Sequence, residues 1–131
     1  MQQLFKALGV KPVFAHCDLP CGVYDPAQAK IEAQSVKAIL DKYEGLDDTN
    51  KMRALIIKEQ RAELVKHHLT VLWADYFKPE HLAKYPNLHD KFWQAIKLAS
   101  ACKHNIDAVN GQKLVEAIDE IAEIFWETKK A

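Results

Sequence analysis

Helical periodicity runs through this sequence from residue 25 onward and limits the folds open to it. After Asp25-Pro26, a pair that suits a helix start, apolar residues recur at steps of four and three: Ala29, Ala33, Val36, Leu40 and Tyr43. This spacing is typical of an amphipathic helix with one apolar face. No stretch alternates apolar and polar residues as a half-buried strand would. The pattern therefore predicts an all-α protein.

Three further helices are predicted from the same signal. The second covers about 49–77, where Pro79 stops it, and the third begins near residue 87. Segment 78–86 is expected to be a connector with a short helical turn, and segment 103–111 a polar turn before a fourth helix that ends near 129. Their predicted inward faces are Leu55, Ala62, Leu69, Leu72 and Tyr76, then Leu88, Phe92, Ala95, Ala99 and Cys102, and last Leu114, Ala117, Ile118, Ile121 and Phe125. Four helices with short to moderate connections predict an antiparallel four-helix bundle.

Size and charge exclude several classes of function. A chain of 131 residues supports one domain. Its net charge of zero gives no footprint for nucleic acid or for an anionic membrane surface. No run approaches the roughly 18 apolar residues of a membrane span. The three cysteines, an odd number, argue against a disulfide framework and for a reduced compartment. We expect Cys102 to be a small buried hydrophobe.

Several metal or cofactor patterns are absent from the predicted bundle. No glutamate has a histidine three residues later, which disfavours a di-iron site. His67 and His68 are adjacent, so they point about 100° apart on a helix and cannot chelate one ion together. We expect both to be ordinary surface or interface residues. Six aromatic residues of the predicted helices are expected to be core rather than parts of a cofactor site: Tyr76, Phe92 and Phe125, and in the same way Trp73, Trp93 and Trp126.

The most unusual segment precedes the first predicted helix. Residues 16–24, which we call the hook, have the sequence HCDLPCGVY. Cys17 and Cys21 are four residues apart in a loop kinked by Pro20, so their thiols can converge on one metal ion. A structural zinc site would need a second pair of ligands. A thioredoxin-like site would need Cys-x-x-Cys in a βαβ unit.

A cut after Ala15 would complete an unusual set of donors. His16 would become the N-terminal residue and would offer a primary amine and an imidazole. The next residue, Cys17, offers an amide nitrogen and a thiolate, and Cys21 offers a second thiolate. Two nitrogens and two thiolates in a plane suit Ni(II) or Cu(II), and the imidazole stays available for an axial position.

Residues 1–15 fit a cleavable pro-segment better than a secretory signal. They carry Lys6 and Lys11 and no acidic residue, and they end in Val13-Phe14-Ala15. Lysines, Gly9 and Pro12 interrupt the apolar stretch, so no continuous apolar region of about 7–15 residues remains. We therefore predict a pro-segment over 1–15, a mature domain over 16–131 with the bundle at 25–131, a dedicated intracellular peptidase and a cytoplasmic location.

The hook resembles the mature N-terminus of the nickel-containing superoxide dismutases, whose pattern is His-Cys-Asp-x-Pro-Cys-Gly-x-Tyr followed by a helical body. The resemblance extends over 16–131, although 44–51 and 91–110 are less characteristic. Its other matching segments are DPAQA (25–29), IKEQRAEL (57–64), WADYFKP (73–79) and IFWET (124–128).

The resemblance implies a function and a set of site residues. It implies one nickel ion per subunit, cycling between Ni(II) and Ni(III) while superoxide is converted to oxygen and hydrogen peroxide, in a homohexamer of four-helix bundles. It implies that nickel is held by the amine and imidazole of His16, the backbone nitrogen and thiolate of Cys17 and the thiolate of Cys21. The supporting residues implied are Glu32 and Arg61, which would orient the His16 ring, Asp18 and Tyr24 on the approach to the metal, and Tyr76 beside them.

Two other hypotheses remain open from the residues alone. A non-catalytic nickel or copper carrier could use the same N-terminal chelate without turnover. A thiol-disulfide protein could use Cys17 and Cys21 without any metal.

Overall fold

The structure, a computed structural model, describes residues 22–130, and every regular element in that part of the chain is helical. The α-helices are α1 (Ala27–Lys42), α2 (Asp48–Val71), α3 (Pro79–Lys84), α4 (Leu88–His104) and α5 (Ala108–Lys130). A 3₁₀ turn, Tyr43–Gly45, follows α1, and a π-helical turn, Leu72–Tyr76, follows α2. The predicted all-α class is confirmed.

The four long helices form the antiparallel bundle that the sequence predicts. Helix α1 packs against α2 and α5, and α4 packs against the same two neighbours. The short helix α3 bridges α2 and α4 at one end. Most predicted inward-facing residues are fully buried, among them Ala33, Val36, Phe92, Ile118 and Phe125. No helix in the described chain is both long and apolar enough to cross a membrane.

Carboxylates start the first two helices. Asp25 accepts a hydrogen bond from the backbone N–H of Ala27 at 2.8 Å, so it caps α1 as expected. Asp47 accepts from the backbone N–H of Asn50 at 2.9 Å at the start of α2. Hydrogen bonds from the backbone and side chain of Asn50 lower the pKa of Asp47. Helix α2 thus begins one or two residues earlier than the sequence predicts.

One residue of α2 that is predicted to face inward is exposed, and a lysine of the same helix is buried. Leu55, predicted to face inward, is 39% exposed, whereas Lys58 is only 3% exposed. The Lys58 ammonium donates to the backbone oxygens of Lys103 and Asn105, at 2.9 and 2.8 Å. These carbonyls lie at the C-terminal end of α4, where orphan acceptors and the helix dipole favour a cation. The apolar pattern does not predict this buried lysine, because its partners are carbonyls at the end of another helix.

The prediction that the tryptophans are core is wrong. Trp73, Trp93 and Trp126 are 41%, 55% and 48% exposed. Each directly follows a buried residue, namely Leu72, Phe92 and Phe125. Successive side chains on an α-helix diverge by about 100°, so burial of the first turns the second outward.

Segment 103–111 is shorter as a turn than predicted. Helix α4 continues to His104, and α5 already begins at Ala108, with Asp107 accepting from the Val109 N–H at 2.9 Å. Gly111 is buried inside α5, where a Cβ atom would lie 3.0 Å from the Cα of Lys37 and 3.1 Å from Cδ1 of Leu40. The glycine lets the backbones of α1 and α5 approach closely.

Each neighbouring pair of long helices is joined by an ion pair on the bundle surface. The nitrogen–oxygen distances are 3.2 Å between α1 and α2 and 2.6 Å at the other three seams. The pairs are Glu32–Arg61 (α1–α2), Glu63–Lys103 (α2–α4), Lys91–Glu120 (α4–α5) and Lys30–Asp119 (α1–α5).

Cys102 and the histidine pair lie where the sequence predicts. Cys102 is fully buried, and burial raises the pKa of its thiol to about 11. His67 is exposed and His68 half-buried on α2.

Candidate metal centre

The predicted nickel ligands lie outside the described residues. These are His16, Cys17 and Cys21, and the same holds for Asp18 and for the cleavage position after Ala15. The described chain begins at Gly22, directly after Cys21. Gly22 has a φ of +67°, in the left-handed region that favours glycine. A Cβ there would meet nothing within 4 Å, so the requirement for glycine is conformational rather than steric.

Tyr24 joins the end of the hook to the bundle. Its half-buried ring lies 5.6 Å from the ring of Tyr76, centroid to centroid, with a tilt of 54°. The two tyrosines that the resemblance assigns to the site are therefore in contact.

Fifty-one residues, 25–75, lie between these two tyrosines along the chain, and the π-helical turn Leu72–Tyr76 is what brings the second ring to the first. In this turn the N–H of Phe77 donates to the oxygen of Leu72 at 3.1 Å, five residues back. Such turns are rare and occur frequently at functional sites. The sequence predicted only that the second helix would end near Phe77.

The ring of Tyr76 contacts residues that the sequence does not assign to the metal site. His81 stacks on it at 5.7 Å with an interplanar angle of 13°, and Phe125 lies 4.4 Å away. The Tyr76 hydroxyl lies 2.6 Å from Oγ1 of Thr128, and the Lys129 ammonium lies 5.0 Å from the ring centroid. One signal could have pointed to Thr128, since it follows Phe125 by three positions and so shares its helix face.

Glu32 and Arg61 form the α1–α2 ion pair rather than two separate solvated charges. Nη1 of Arg61 lies 3.3 and 3.2 Å from the two carboxylate oxygens of Glu32. The Glu32 side chain is 17% exposed and that of Arg61 is 38% exposed. A single nitrogen serves both oxygens, so other guanidinium N–H groups and carboxylate lone pairs stay available for further partners.

An open groove of about 780 Å³ lies beside the start of α1, next to the point where the hook joins the bundle. Asp25, Pro26 and Lys30 line it from α1, and Asp119 and Trp126 line it from α5. Its Lys30 and Asp119 are already paired across the two helices at 2.6 Å. The charges of Lys30 and Asp119 in this groove therefore neutralise each other.

The donor chemistry of the hook fits nickel. Within residues 22–130, no group of three or more His, Cys, Asp or Glu side chains could hold a metal ion. If the chain is cut after Ala15, His16, Cys17 and Cys21 would together offer amine, amide and imidazole nitrogens and two thiolates. Nitrogen donors in a square plane suit Ni(II) and Cu(II), and thiolates add the soft, electron-rich donors that hard ions such as Mg²⁺ do not select.

Comparisons with known proteins point in one direction. A profile of the family described as nickel-containing superoxide dismutase matches residues 11–129. The "Superoxide dismutase [Ni]" of Streptomyces seoulensis is 61% identical over 120 residues, covering 91% of this chain and 92% of the relative. The protein of the same name from Streptomyces coelicolor is 60% identical with the same coverage. A solved native nickel superoxide dismutase has a TM-score of 0.85 and 59% identity, covering 88% of this chain and 100% of that chain.

Proposed function

Since this chain belongs to the nickel-containing superoxide dismutases, we propose that the hook is its metal-binding segment and that His16, Cys17 and Cys21 are the nickel ligands. The chain is a nickel-dependent enzyme that converts superoxide to oxygen and hydrogen peroxide. The hypothesis of a non-catalytic nickel or copper carrier finds no support among relatives named superoxide dismutase at 60% identity or more.

One observation carries the assignment of the ligands. The sequence HCDLPCGVY places two thiols, an imidazole and a potential terminal amine within six residues. When bound there, nickel supplies one-electron redox chemistry, for which thiolate and amide donors make the higher oxidation state accessible. The chain's own part is to hold these donors, to orient the imidazole and to supply protons.

Glu32 and Arg61 would orient the imidazole of His16. A carboxylate that accepts the imidazole N–H fixes the ring orientation and its tautomer, as outer partners of metal-bound histidines commonly do. Arg61 already holds the Glu32 carboxylate at 3.2 Å, which limits the positions that this acceptor can take. The ion pair therefore acts through Glu32 on His16.

Tyr24 and Asp18 would line the approach to the metal. Each turnover consumes two protons for every hydrogen peroxide formed from two superoxide ions. The hydroxyl of Tyr24, three residues after Cys21, is a candidate to deliver a proton or to order the water that does so. Tyr76 would support Tyr24 from behind, because the two rings are 5.6 Å apart.

Maturation and assembly complete the proposal. Removal of residues 1–15 by a dedicated peptidase in the cytoplasm would free the His16 amine. The solved relative is covered completely by 88% of this chain, and the fraction left over is close in size to this segment. A homohexamer would bury apolar side chains that lie exposed on the bundle, among them Ile31, Met52, Ile56, Trp93 and Val109. Analytical ultracentrifugation of the cleaved, nickel-loaded protein tests that assembly.

Cysteine substitution tests the ligand assignment. Cys17→Ser and Cys21→Ser should each abolish dismutase activity, because a serine hydroxyl cannot replace the thiolate donor. Cys102→Ser is a matched control for the chemical change, since Cys102 lies in the bundle core; its folded fraction should be active. Superoxide decay followed by stopped flow, normalised to bound nickel, is the measurement. Wild-type activity in either hook variant would contradict the nickel-thiolate site. The thiol-disulfide hypothesis would instead require full activity in metal-free protein that keeps both hook cysteines.

A further inference from the structure

We propose that Thr128 is a positioning residue of this enzyme, which fixes the hydroxyl of Tyr76 and, through that ring, the place of Tyr24 at the end of the hook. The inference rests on the proposed function, which places the hook at the metal. It adds a residue from the last turn of α5 that neither ligand chemistry nor sequence pattern assigns to the site.

The direction of the hydrogen bonds follows from the number of protons. Oγ1 of Thr128 lies 2.6 Å from the backbone oxygen of Phe125, and a carbonyl oxygen can only accept. The single hydroxyl proton of Thr128 is therefore donated to Phe125. Oγ1 of Thr128 also lies 2.6 Å from the Tyr76 hydroxyl, so the proton in that bond must come from Tyr76. The chain of donors runs from Tyr76 to Thr128 to the backbone of α5.

This direction assigns a role to Tyr76. Its phenolic proton is donated to Thr128. Tyr76 is therefore a positioning group and not the proton donor of the reaction. That leaves the delivery of protons to other groups, in agreement with the role proposed for Tyr24.

Ring contacts and one hydrogen bond hold the side chain of Tyr76 in place. His81 is stacked nearly parallel to the ring, and Phe77 meets it at 83°. The imidazole of His81 is itself oriented, because its Nδ1 accepts from the backbone N–H of Lys78 at 3.1 Å. These contacts hold the plane of the phenol ring, and among the described residues the hydrogen bond to Thr128 holds its hydroxyl end.

Tyr24 carries this constraint toward the hook. Its ring packs on Tyr76 at 5.6 Å, and two residues separate it from Cys21 along the chain. Movement of the Tyr76 ring changes the surface on which Tyr24 rests. Thr128 would therefore influence the hook through Tyr76 and Tyr24.

Fluorine NMR tests the contact without nickel or cleavage. The full chain grown with 3-fluorotyrosine carries four reporters, one per tyrosine, and Tyr76→Phe and Tyr24→Phe assign the two resonances of interest. We expect Thr128→Val, which removes the acceptor at nearly constant shape, to shift both resonances and leave that of Tyr43 in place. Thr128→Ser, which keeps the hydroxyl, should restore them. Unchanged Tyr76 and Tyr24 resonances in Thr128→Val, with circular dichroism showing a folded protein, would overturn the proposal.

A double-mutant cycle tests the functional part in cleaved, nickel-loaded protein. If Thr128 acts only through the Tyr76 hydroxyl, then Thr128→Val, Tyr76→Phe and the double variant should lose activity equally. We expect losses of about 10-fold, the lower end of the range for partners outside the ligand set, and rescue by Thr128→Ser.

Three outcomes of the cycle would overturn the positioning role. They are full activity in both single variants, losses that multiply in the double variant, and a serine variant as slow as the valine variant. An inactive wild-type protein would instead contradict the proposed function, and the fluorine spectra would still decide whether Thr128 holds Tyr76. If Thr128→Val does not fold, Thr128→Ala and Tyr76→Phe form the same cycle.

Discussion

Burial sets the chemical behaviour of the Cys102 thiol. Its thiol has no exposed surface, and burial, which disfavours the thiolate, raises its pKa from 9.0 to about 11. The thiolate is the reactive and metal-binding form of cysteine. At neutral pH Cys102 is therefore an inert part of the core, although it is chemically identical to the proposed ligands.

This contrast predicts the behaviour of Cys102 toward thiol reagents. In a Cys17→Ser/Cys21→Ser variant, the remaining thiol should not react with Ellman's reagent at pH 8 until denaturant unfolds the chain. Between pH 9.0 and about 11 the unfolded thiol loses its proton before the folded one does, so this group lowers stability as pH rises through that window. Urea unfolding at pH 8 and pH 10.5 measures the second effect. Rapid reaction of the folded protein at pH 8 would contradict the buried thiol.

Glu32 gives a second prediction at the scale of one residue. Glu32→Ala should reduce dismutase activity by about 10–100-fold, as loss of a partner outside the ligand set typically does, because the His16 ring loses its acceptor. Glu120→Ala is the matched control, since it removes another ion pair between helices, with Lys91 at 2.6 Å. Pulse radiolysis at matched nickel content gives the rates. Equal losses in the two variants would mean that Glu32 acts only on stability.

Residue chemistry predicts the donors of the proposed site, but it does not predict their surroundings. The hook could be found because its donors are neighbours in sequence. Glu32 and Arg61 were selected only by resemblance, because a charge on a helix has no sequence sign of its partner. Thr128 and His81 were missed, since they reach Tyr76 only through the packing of α3 and α5.

At the scale of elements, the interfaces between neighbouring helices differ in how closely the two backbones approach. Helices α1 and α5 meet at Gly111, where a side chain would collide with backbone. At the end of α4, Lys58 supplies two hydrogen bonds to carbonyls that the helix leaves unpaired. The spacing of apolar residues predicts which face of each helix is buried. It does not predict the close contact at Gly111 or the burial of Lys58, because both depend on a neighbouring helix.

Gly111→Ala tests the closest seam. Alanine favours a helix over glycine by about 1 kcal/mol, but overpacking a close contact typically costs about 1–3 kcal/mol. Because the nearest atom, the Cα of Lys37 at 3.0 Å, belongs to backbone and cannot rotate away, we expect net destabilisation. Gly45→Ala is the control, since a Cβ there meets nothing within 4 Å. Denaturant unfolding compares the two, and a Gly111→Ala protein more stable than wild type would contradict the close approach.

At the scale of the whole molecule, the bundle and the hook are separate in what they require. The core residues of the described chain all follow residue 25, and ion pairs join every pair of its neighbouring long helices. We therefore expect the bundle to fold without nickel and without removal of residues 1–15. The proposed metal site requires both.

This separation predicts a folded but inactive precursor. While Ala15 is attached, the nitrogen of His16 is an amide and not an amine, so the full-length chain should bind nickel weakly and show no dismutase activity. Full-length protein, protein co-expressed with its peptidase and protein with His16 exposed by a tag protease should have similar circular dichroism. Only the latter two should be active. Nickel-dependent activity with residues 1–15 intact by mass spectrometry would contradict the amine ligand.

Contact between distant parts of the chain at Tyr76 also sets an order of events during biosynthesis. The ribosome releases the hook and Tyr24 first, then Tyr76, and only much later Thr128, whose hydroxyl holds the Tyr76 ring at 2.6 Å. The hook thiols of a nascent chain are therefore synthesised well before the contact between Tyr76 and Thr128 can form. We therefore expect the proposed site to be completed only after α5 has folded, so a truncated or stalled chain would carry the proposed metal-binding peptide without the surroundings that the enzyme needs.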